Sequence, residues 1–310
     1  MMRTERSAVG PWWTRKGRIR GLEVMWLGQA GFLLRTGDHR LVIDPYLSDS
    51  LAEKYRGKTF PHTRMTAVPI EPDALGDTDL VLATHEHTDH LDPGTIPVIC
   101  AAGRGAPVVV PRFSLAVALE RGIPPNRLVT LNDGESWRSG TGITVWAIPA
   151  AHEELQRDNA GNARFLGYLL QLGDYLVYHS GDTVPCEELE STLTTVLMEL
   201  SRSSEGKTPE RDAGCPPIVD LALLPVNGRD EERRSHGVPG NLTMIEAIAC
   251  HRKFFFRHSI VHHFGMFDFN TADPRELRAV REQHCLNDEI TVPEMAVLYH
   301  FDRTPGERYD

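Results

Sequence analysis

Three histidines and several carboxylates follow a short apolar run in LVLATHEHTDHLDP, residues 80–93. His85 and His87 are two positions apart, so in an extended segment both imidazoles lie on one side and can reach a single cation. Asp89 and His90 can reach a neighbouring cation if the chain turns just after His87. Imidazole and carboxylate ligands suit zinc, manganese and iron alike. The segment therefore predicts half of a site for two divalent metal ions.

Three further apolar runs also end in residues that can bind metals: TVWAIPAA before His152, YLVYHSG before Asp182 and FFFRHSIVH before His263. Strand ends are rigid, and several of them on one edge of a sheet can direct side chains to one point. We expect His152 to complete three nitrogen ligands on the first ion. His263 would join Asp89 and His90 on the second. Asp182 is the candidate bridge, because a carboxylate has two oxygens and can bind both ions.

A site of this kind favours hydrolysis. Two divalent cations, two carboxylate ligands and one hydroxide leave a net charge of about one positive. Such a centre lowers the pKa of its water from 15.7 towards about 7 and polarises a carbonyl or phosphoryl oxygen. We expect Asp89 and Asp182 to act in catalysis, Asp182 as the bridge and Asp89 by orienting the nucleophile and carrying its proton to the leaving group.

The motif HxHxDH at 85–90 resembles the signature of the metallo-β-lactamase-fold hydrolase superfamily. The later motifs match that superfamily in the same order, with His152, then SGDT containing Asp182, then VHHFGMF containing His263. The resemblance spans residues 22–263. It implies an α/β protein with the fold of a four-layer αββα sandwich.

Within the superfamily, MWLGQAGFLL, YHSGDT, NLT and HHF…ADPRELR are similar to the L-ascorbate-6-phosphate lactonase-like branch. This similarity implies metal-dependent opening of a cyclic ester, with two ions of zinc or manganese. In the superfamily the last histidine ligand directly precedes an aromatic–glycine pair, here Phe264 and Gly265. The resemblance therefore assigns His263 as the ligand rather than His262.

Two residues are expected to support the ligands from behind. Asp44, in VIDP, is placed to hydrogen-bond a ligating histidine, as carboxylates often do at metal sites. The alternative is an aspartate that only opens the turn before Pro45. Thr84, which directly precedes His85, is assigned the same supporting role.

Substrate contacts are expected by analogy in the segment 225–240, PVNGRDEERRSHGVPG. We name Asn227, Arg234 and His236 there, together with His179 of YHSGD. For the charged segment, the alternative is an ordinary solvated surface. For the histidine, a packed and hydrogen-bonded side chain is an equal alternative.

These observations predict a metal-dependent hydrolase in which a hydroxide bridging two metal ions opens an ester or lactone. The substrate would be a small polar molecule, phosphorylated or not. A phosphodiesterase acting on a small-molecule or lipid phosphodiester is the alternative within the same chemistry, because a dimetal centre also suits in-line displacement. A metal-binding homologue without turnover is the alternative of another class.

The elements that must position these residues can also be predicted. Short apolar runs bounded by glycine, proline, aspartate or asparagine indicate strands at 22–28, 31–37, 40–45, 78–85, 106–111, 142–150, 164–173, 174–182, 219–226 and 254–264. Capping residues and helical periodicity indicate helices at 114–122, 187–201, 241–253 and 271–283. Helices should cover two packed sheets. We predict one domain over 1–310, with an N-terminal extension at 1–20 and an exposed loop at 202–217.

Composition limits the partners. The formal net charge of −10 disfavours nucleic acid, which requires a basic surface. Five widely spaced cysteines without a CxxC pair disfavour a disulfide framework. The first residues do not resemble a signal peptide, and no apolar run is long enough for a membrane span. We therefore expect a cytoplasmic protein with a small-molecule substrate, and its oligomeric state, homo-oligomer included, stays open.

Overall fold

Most of the apolar runs become strands of two sheets in the computed structural model of the protein, which describes residues 2–204 and 217–302. Elements are numbered in chain order. The strands of the first sheet are β1 Met2–Arg6, β2 Ile19–Gly28, β3 Gly31–Gly37, β4 His39–Ile43, β5 Leu80–Leu82, β6 Val108–Pro111, β7 Leu128–Leu131 and β15 Val297–Phe301. They lie in the order β1-β15-β2-β3-β4-β5-β6-β7.

The second sheet is built from the middle and later part of the chain. Its strands are β8 Ser136–Arg138, β9 Thr144–Pro149, β10 Leu166–Leu172, β11 Tyr175–His179, β12 Leu221–Pro225, β13 Ser259–His262 and β14 Ile290–Thr291. They lie in the order β14-β13-β12-β11-β10-β9-β8.

The α-helices of the described residues are mostly short. They are α1 Val9–Thr14, α2 Ser50–Lys54, α3 Ile96–Ala102, α4 Leu115–Glu120, α5 Glu187–Ser204, α6 Glu231–Ser235, α7 Met244–Lys253 and α8 Pro274–Gln283. None of them is long and apolar enough to span a membrane.

Side chains of one strand show how the layers pack. In β2, Leu22, Val24 and Trp26 belong to the core shared with the second sheet. Met25 and Leu27 point the other way and pack in a core with helix residues. Because successive residues of a strand face opposite sides, a strand that is buried on both faces needs a layer on each side. Two sheets packed together with helices outside them form the expected α/β sandwich.

The first residues are integrated into this sandwich. β1 pairs antiparallel with β15 at the edge of the first sheet. Trp12 and Trp13 of α1 are buried, and the Trp12 indole donates a hydrogen bond of 2.7 Å to Glu23. The segment 1–20 therefore contributes one edge strand and part of a core. The loop predicted at 202–217 lies mainly outside the described residues.

Strand direction explains where functional side chains can meet. β4, β5, β6 and β7 run parallel, so the ends of β4 and β5 lie at one edge of the first sheet. In the second sheet β11, β12 and β13 run parallel. β9 points the same way as β11, because each pairs antiparallel with β10. The carboxyl ends of these strands therefore share an edge, as in open α/β sheets that bind ligands there.

Candidate metal centre

The structure brings the seven side chains predicted as ligands together at this edge. Their nitrogen and oxygen atoms form overlapping groups in which all the ligand atoms lie within 4.8 Å of one another. The groups are His85, His87 and His152, then His85, His90 and Asp182, and then Asp89, His90 and His263.

Asp182 lies between the groups. Its Oδ2 atom is 3.1 Å from His263 Nε2 and 3.4 Å from His90 Nε2. The same oxygen is 3.8 Å from His152 Nε2, which belongs to the first group. One carboxylate oxygen is thus close to histidines of all three groups.

Asp44 and Thr84 lie directly behind the cluster. Asp44 is fully buried and accepts hydrogen bonds from the Thr84 backbone N–H at 2.7 Å and from its hydroxyl at 2.6 Å. His90 Nδ1 is 2.7 Å from Asp44 Oδ2. A carboxylate at Nδ1 fixes the proton there, so the lone pair on Nε2 is directed into the cluster.

Gln29 is a residue of the site that the sequence analysis missed. Its side-chain amide donates to Asp89 Oδ2 at 2.9 Å and lies 3.2 Å from His263 Nε2. Its backbone carbonyl accepts from the His263 N–H at 2.9 Å. The only signal was its position in the β2–β3 turn, within GQAG, which does not by itself indicate a polar contact across the two sheets.

Unusual backbone conformations are concentrated around the cluster. Gln29, Asp44, Glu153 and His263 all have positive φ, between 44° and 67°. Such conformations are uncommon for residues other than glycine and are found preferentially at functional sites. Gly181, next to Asp182, also has positive φ, and a Cβ there would lie only 2.4 Å from the Leu166 carbonyl oxygen. Only glycine can therefore hold this turn.

The buried histidines and carboxylates differ in protonation. Burial lowers the pKa of His85 well below its usual value and that of His87 to about 3, so both are neutral and can donate a lone pair. Burial opposes the charged form of His90 too, but the carboxylates of Asp182, Asp44 and Asp89 outweigh it and raise the pKa of His90. A cation bound at Nε2 would compete with the proton that these carboxylates favour. Burial would raise the pKa of Asp182, but His263 and His90 outweigh it and hold that pKa well below normal.

The donor set fits divalent cations. His85 Nε2, His90 Nε2 and Asp182 Oδ1 are buried and have no hydrogen-bond partner among the described residues. Buried polar atoms are rarely left unpaired, because losing their water is costly. Several such atoms that meet at one point are explained by a cation that all of them can bind. Nitrogen and oxygen donors of this kind suit zinc, manganese or iron.

A cavity of about 350 Å³ opens onto the cluster. His87, Asp89, His152, Asp182 and His263 form its floor. The volume is at the lower end of the range for small-molecule sites.

Of the four residues predicted to contact substrate, His236 lines this cavity and the other three do not. Arg234 instead donates a hydrogen bond of 2.7 Å to Glu153, the residue that follows His152 in the sequence. Asn227 is buried and donates to Asn270 Oδ1 at 2.7 Å, so it lies behind a cavity residue. Both side chains contact neighbouring loops and lie outside the lining of this cavity.

His179 also lies outside the lining of the cavity. It is fully buried, its Nε2 donates to the Ala30 carbonyl at 3.1 Å, and its Nδ1 accepts from the Gly181 N–H at 3.0 Å. Because both ring nitrogens have partners inside the protein, the packed alternative describes it.

Known proteins share this architecture. Residues 39–198 match the family model of the beta-lactamase superfamily domain. A metal-dependent hydrolase of Pyrobaculum calidifontis is 31% identical over 259 residues, which cover 83% of this chain and 91% of that protein.

Some solved structures resemble this fold at a sequence identity lower than that of the Pyrobaculum protein. The isothiocyanate hydrolase from Delia radicum gut bacteria has a TM-score of 0.63 at 18% identity, covering 91% of this chain and 100% of its own. A metallo-beta-lactamase fold protein from Bacillus subtilis has a TM-score of 0.57 at 14% identity, covering 90% and 99%. At these identities the likeness concerns the fold alone.

Proposed function

The chain belongs to the beta-lactamase superfamily of metal-dependent hydrolases, and on this premise we propose that it hydrolyses an ester or lactone of a small polar molecule. The proposal includes two divalent metal ions, zinc or manganese. The observation that carries it is the position of Asp182 Oδ2, within 3.8 Å of His90, His152 and His263 at the floor of a cavity.

We assign His85, His87 and His152 to one ion and Asp89, His90 and His263 to the other, with Asp182 between them. When bound, the two ions would lower the pKa of water from 15.7 towards about 7 and polarise the carbonyl oxygen of the substrate. The protein supplies the fixed positions. Asp44 and Gln29 hold His90 and Asp89 from behind, which limits the reorganisation that the reaction needs.

Asp89 is the proposed proton carrier. Its carboxylate lines the cavity, and its Oδ2 is held by the Gln29 amide. In the reaction, a water oxygen forms a bond to the carbonyl carbon and the C–O bond of the ester breaks. Asp89 takes the proton of the water and passes it to the departing oxygen, so that a carboxylic acid and an alcohol result. In a lactone both groups remain in one molecule.

Matched substitutions test the proposal. Asp182→Asn and His87→Ala should lose bound metal and reduce kcat/KM by at least about a thousandfold, because the site supplies both the ions and their position. Asp174→Asn is the control, since Asp174 is an exposed carboxylate in the β10–β11 turn. Metal content and turnover would be measured on the same samples with aryl esters, lactones, an isothiocyanate and bis(p-nitrophenyl) phosphate.

The results separate the alternatives. Loss of metal with unchanged ester or lactone turnover would refute the proposed mechanism. Turnover of the phosphodiester alone would favour a phosphodiesterase. Tight metal binding without turnover of any compound would identify a metal-binding protein that is not an enzyme.

A further inference from the structure

Part of the cavity lining is largely aromatic. It includes Tyr55, Phe60, His62 and Phe267, of which the first three lie in the segment that directly follows α2. Tyr55 and His62 stack with ring centroids 4.2 Å apart and planes at 23°. His62 meets Phe267 edge-on at 5.2 Å. The rings therefore support one another and form a pre-ordered apolar surface, which we call the aromatic wall.

Two features hold the aromatic wall in place. His62 has a positive φ of 54°, and its Nδ1 lies 2.7 Å from the Phe60 carbonyl oxygen, so that Nδ1–H donates to it. Phe60 stacks on Phe269, with centroids 4.5 Å apart and planes at 17°. Phe269 in turn packs against a small core that contains Phe267. A surface built in this way can bind a planar group without paying to order its own side chains.

Two lysines lie beside the aromatic wall. Lys54 and Lys58 line the cavity and are exposed, and in the described part of the chain no carboxylate lies within ion-pair distance of either. Lys54 Nζ is 5.3 Å from the centre of the Tyr55 ring. Their positive charges are therefore available to a ligand.

The arginines of the segment 225–240 are different. Arg229 is paired with Glu246 at 2.7 Å, Arg233 with Asp230 at 2.5 Å and Arg234 with Glu153 at 2.7 Å. A cation that already has a carboxylate partner has little to gain from a second anion. Within this cavity an anion therefore finds free positive charge at the lysines rather than at these arginines.

We propose that the cavity selects a substrate that combines a planar apolar group with an anionic group. The planar group packs on the aromatic wall, and the carboxylate or phosphate meets Lys54 and Lys58. A cavity of about 350 Å³ has room for a single-ring aromatic anion. Hydrolysis of such a substrate rests on the proposed function, whereas its binding to the aromatic wall and the lysines does not.

The lysines can be tested with two aryl acetates that differ by one carboxylate. Replacing Lys54 and Lys58 together with alanine should lower kcat/KM for 4-acetoxybenzoate by about tenfold, because two exposed charge interactions are lost. The value for phenyl acetate should change less than about twofold. Raising the salt concentration should reduce the wild-type preference for the anion, since the lysines are exposed. Equal losses on both esters, or no loss on either, would overturn the role of the lysines.

Lys16→Ala is the matched control for the charge. Lys16 is exposed and is not among the cavity residues, so it should change neither value. Circular dichroism and thermal melting would confirm that the variants are folded.

The aromatic wall is tested separately. Phe60→Ala should lower kcat/KM for phenyl acetate about fivefold more than that for cyclohexyl acetate, because stacking is lost from the planar group alone. Phe60→Leu keeps the apolar volume and should show the same selective loss. An equal effect on the two esters would refute selection for a planar group.

A binding measurement separates this proposal from the proposed function. Titration calorimetry with 4-hydroxybenzoate, which has no bond to hydrolyse, would be made on the metal-loaded protein. Binding that weakens about tenfold in the lysine variant supports the anion site even if no ester is turned over. Binding that is absent, or equal in both proteins, would contradict it whatever the outcome of the hydrolysis assays.

Discussion

Asp44 shows how one side chain controls another at this site. Its two oxygens accept three hydrogen bonds, two from Thr84 and one from His90. The bond to His90 keeps the ring proton on Nδ1, away from the cluster. An asparagine in its place would direct an N–H at one of these donors, and His90 would then change its tautomer or its orientation.

We therefore expect Asp44→Asn to weaken metal binding by about 10- to 100-fold, the usual cost of losing such a partner. Metal affinity would be measured by competition with a chelator. Asp38→Asn, an exposed residue in the β3–β4 turn, should leave the affinity unchanged. An unchanged affinity in the Asp44 variant would mean that other contacts orient His90.

The residues of the site were not equally predictable. The histidines and aspartates were named from sequence because their types and spacing identify them, and the structure brings all of them together. Gln29, Lys54 and Lys58 could not be named from the sequence, because each is a single side chain in a turn or a short helix. The pairing of Arg234 with Glu153 could not be predicted either, because the two residues are 81 positions apart and an ion pair of that kind leaves no local pattern.

At the scale of elements, α7 is joined to the loop before α6 by charge and capping. Thr243 and Glu246 form a reciprocal capping box at the start of the helix. Glu246 also accepts two hydrogen bonds of 2.7 Å from Arg229. These contacts hold the charged segment 225–240 in place, which explains why its arginines serve structure.

The same contacts predict a pH dependence of stability. The Arg229 guanidinium lowers the pKa of Glu246 to about 2, against an ordinary value of 4.5. Because the folded pKa lies below the unfolded one, the stabilisation is complete above about pH 4.5 and is lost as the pH falls towards 2.

Glu246→Gln isolates this effect, because glutamine keeps the capping box and loses the charge. We expect the variant to be about 1 kcal/mol less stable at pH 7, allowing for partial exposure of the pair. The difference should shrink as the pH is lowered below about 4.5, as measured by urea unfolding. Glu276→Gln, an exposed position in the first turn of α8, is the control. A difference that does not vary with pH would contradict the assignment.

Prediction of the elements depended on how strong their signals were. Apolar runs with turn residues at both ends were recognised, and so were helices with clear caps such as α7 and α8. β8, with the burial pattern exposed–intermediate–exposed, was missed because little of it is buried. β14 is buried, and it was missed because two residues are too few to form a recognisable pattern. The run 254–264 forms a strand only at Ser259–His262, since Phe255 adopts a positive φ in the turn after α7.

At the scale of the whole molecule, the proposed ligands come from both sheets. His85 to His90 follow β5 in the first sheet, whereas His152, Asp182 and His263 follow strands of the second. Cations bound by both sets would join the sheets at one edge. Without them, the buried carboxylates of Asp89 and Asp182 repel each other and several ring nitrogens stay unpaired. Metal binding should therefore stabilise the fold as well as the site.

Chelation should then lower the melting temperature. At free metal about a hundredfold above its dissociation constant, each bound ion contributes about 2.7 kcal/mol, which corresponds to a shift of roughly 5 °C per ion for a chain of this size. Calorimetric melting with EDTA, and again after zinc or manganese is restored, would measure the shift. Asp182→Asn should respond much less to EDTA than the wild type, because Asp182 lies between the two proposed ions and its loss weakens both sites. If wild type and variant respond equally to EDTA, the chelator acts elsewhere, and the cluster does not hold the two sheets together.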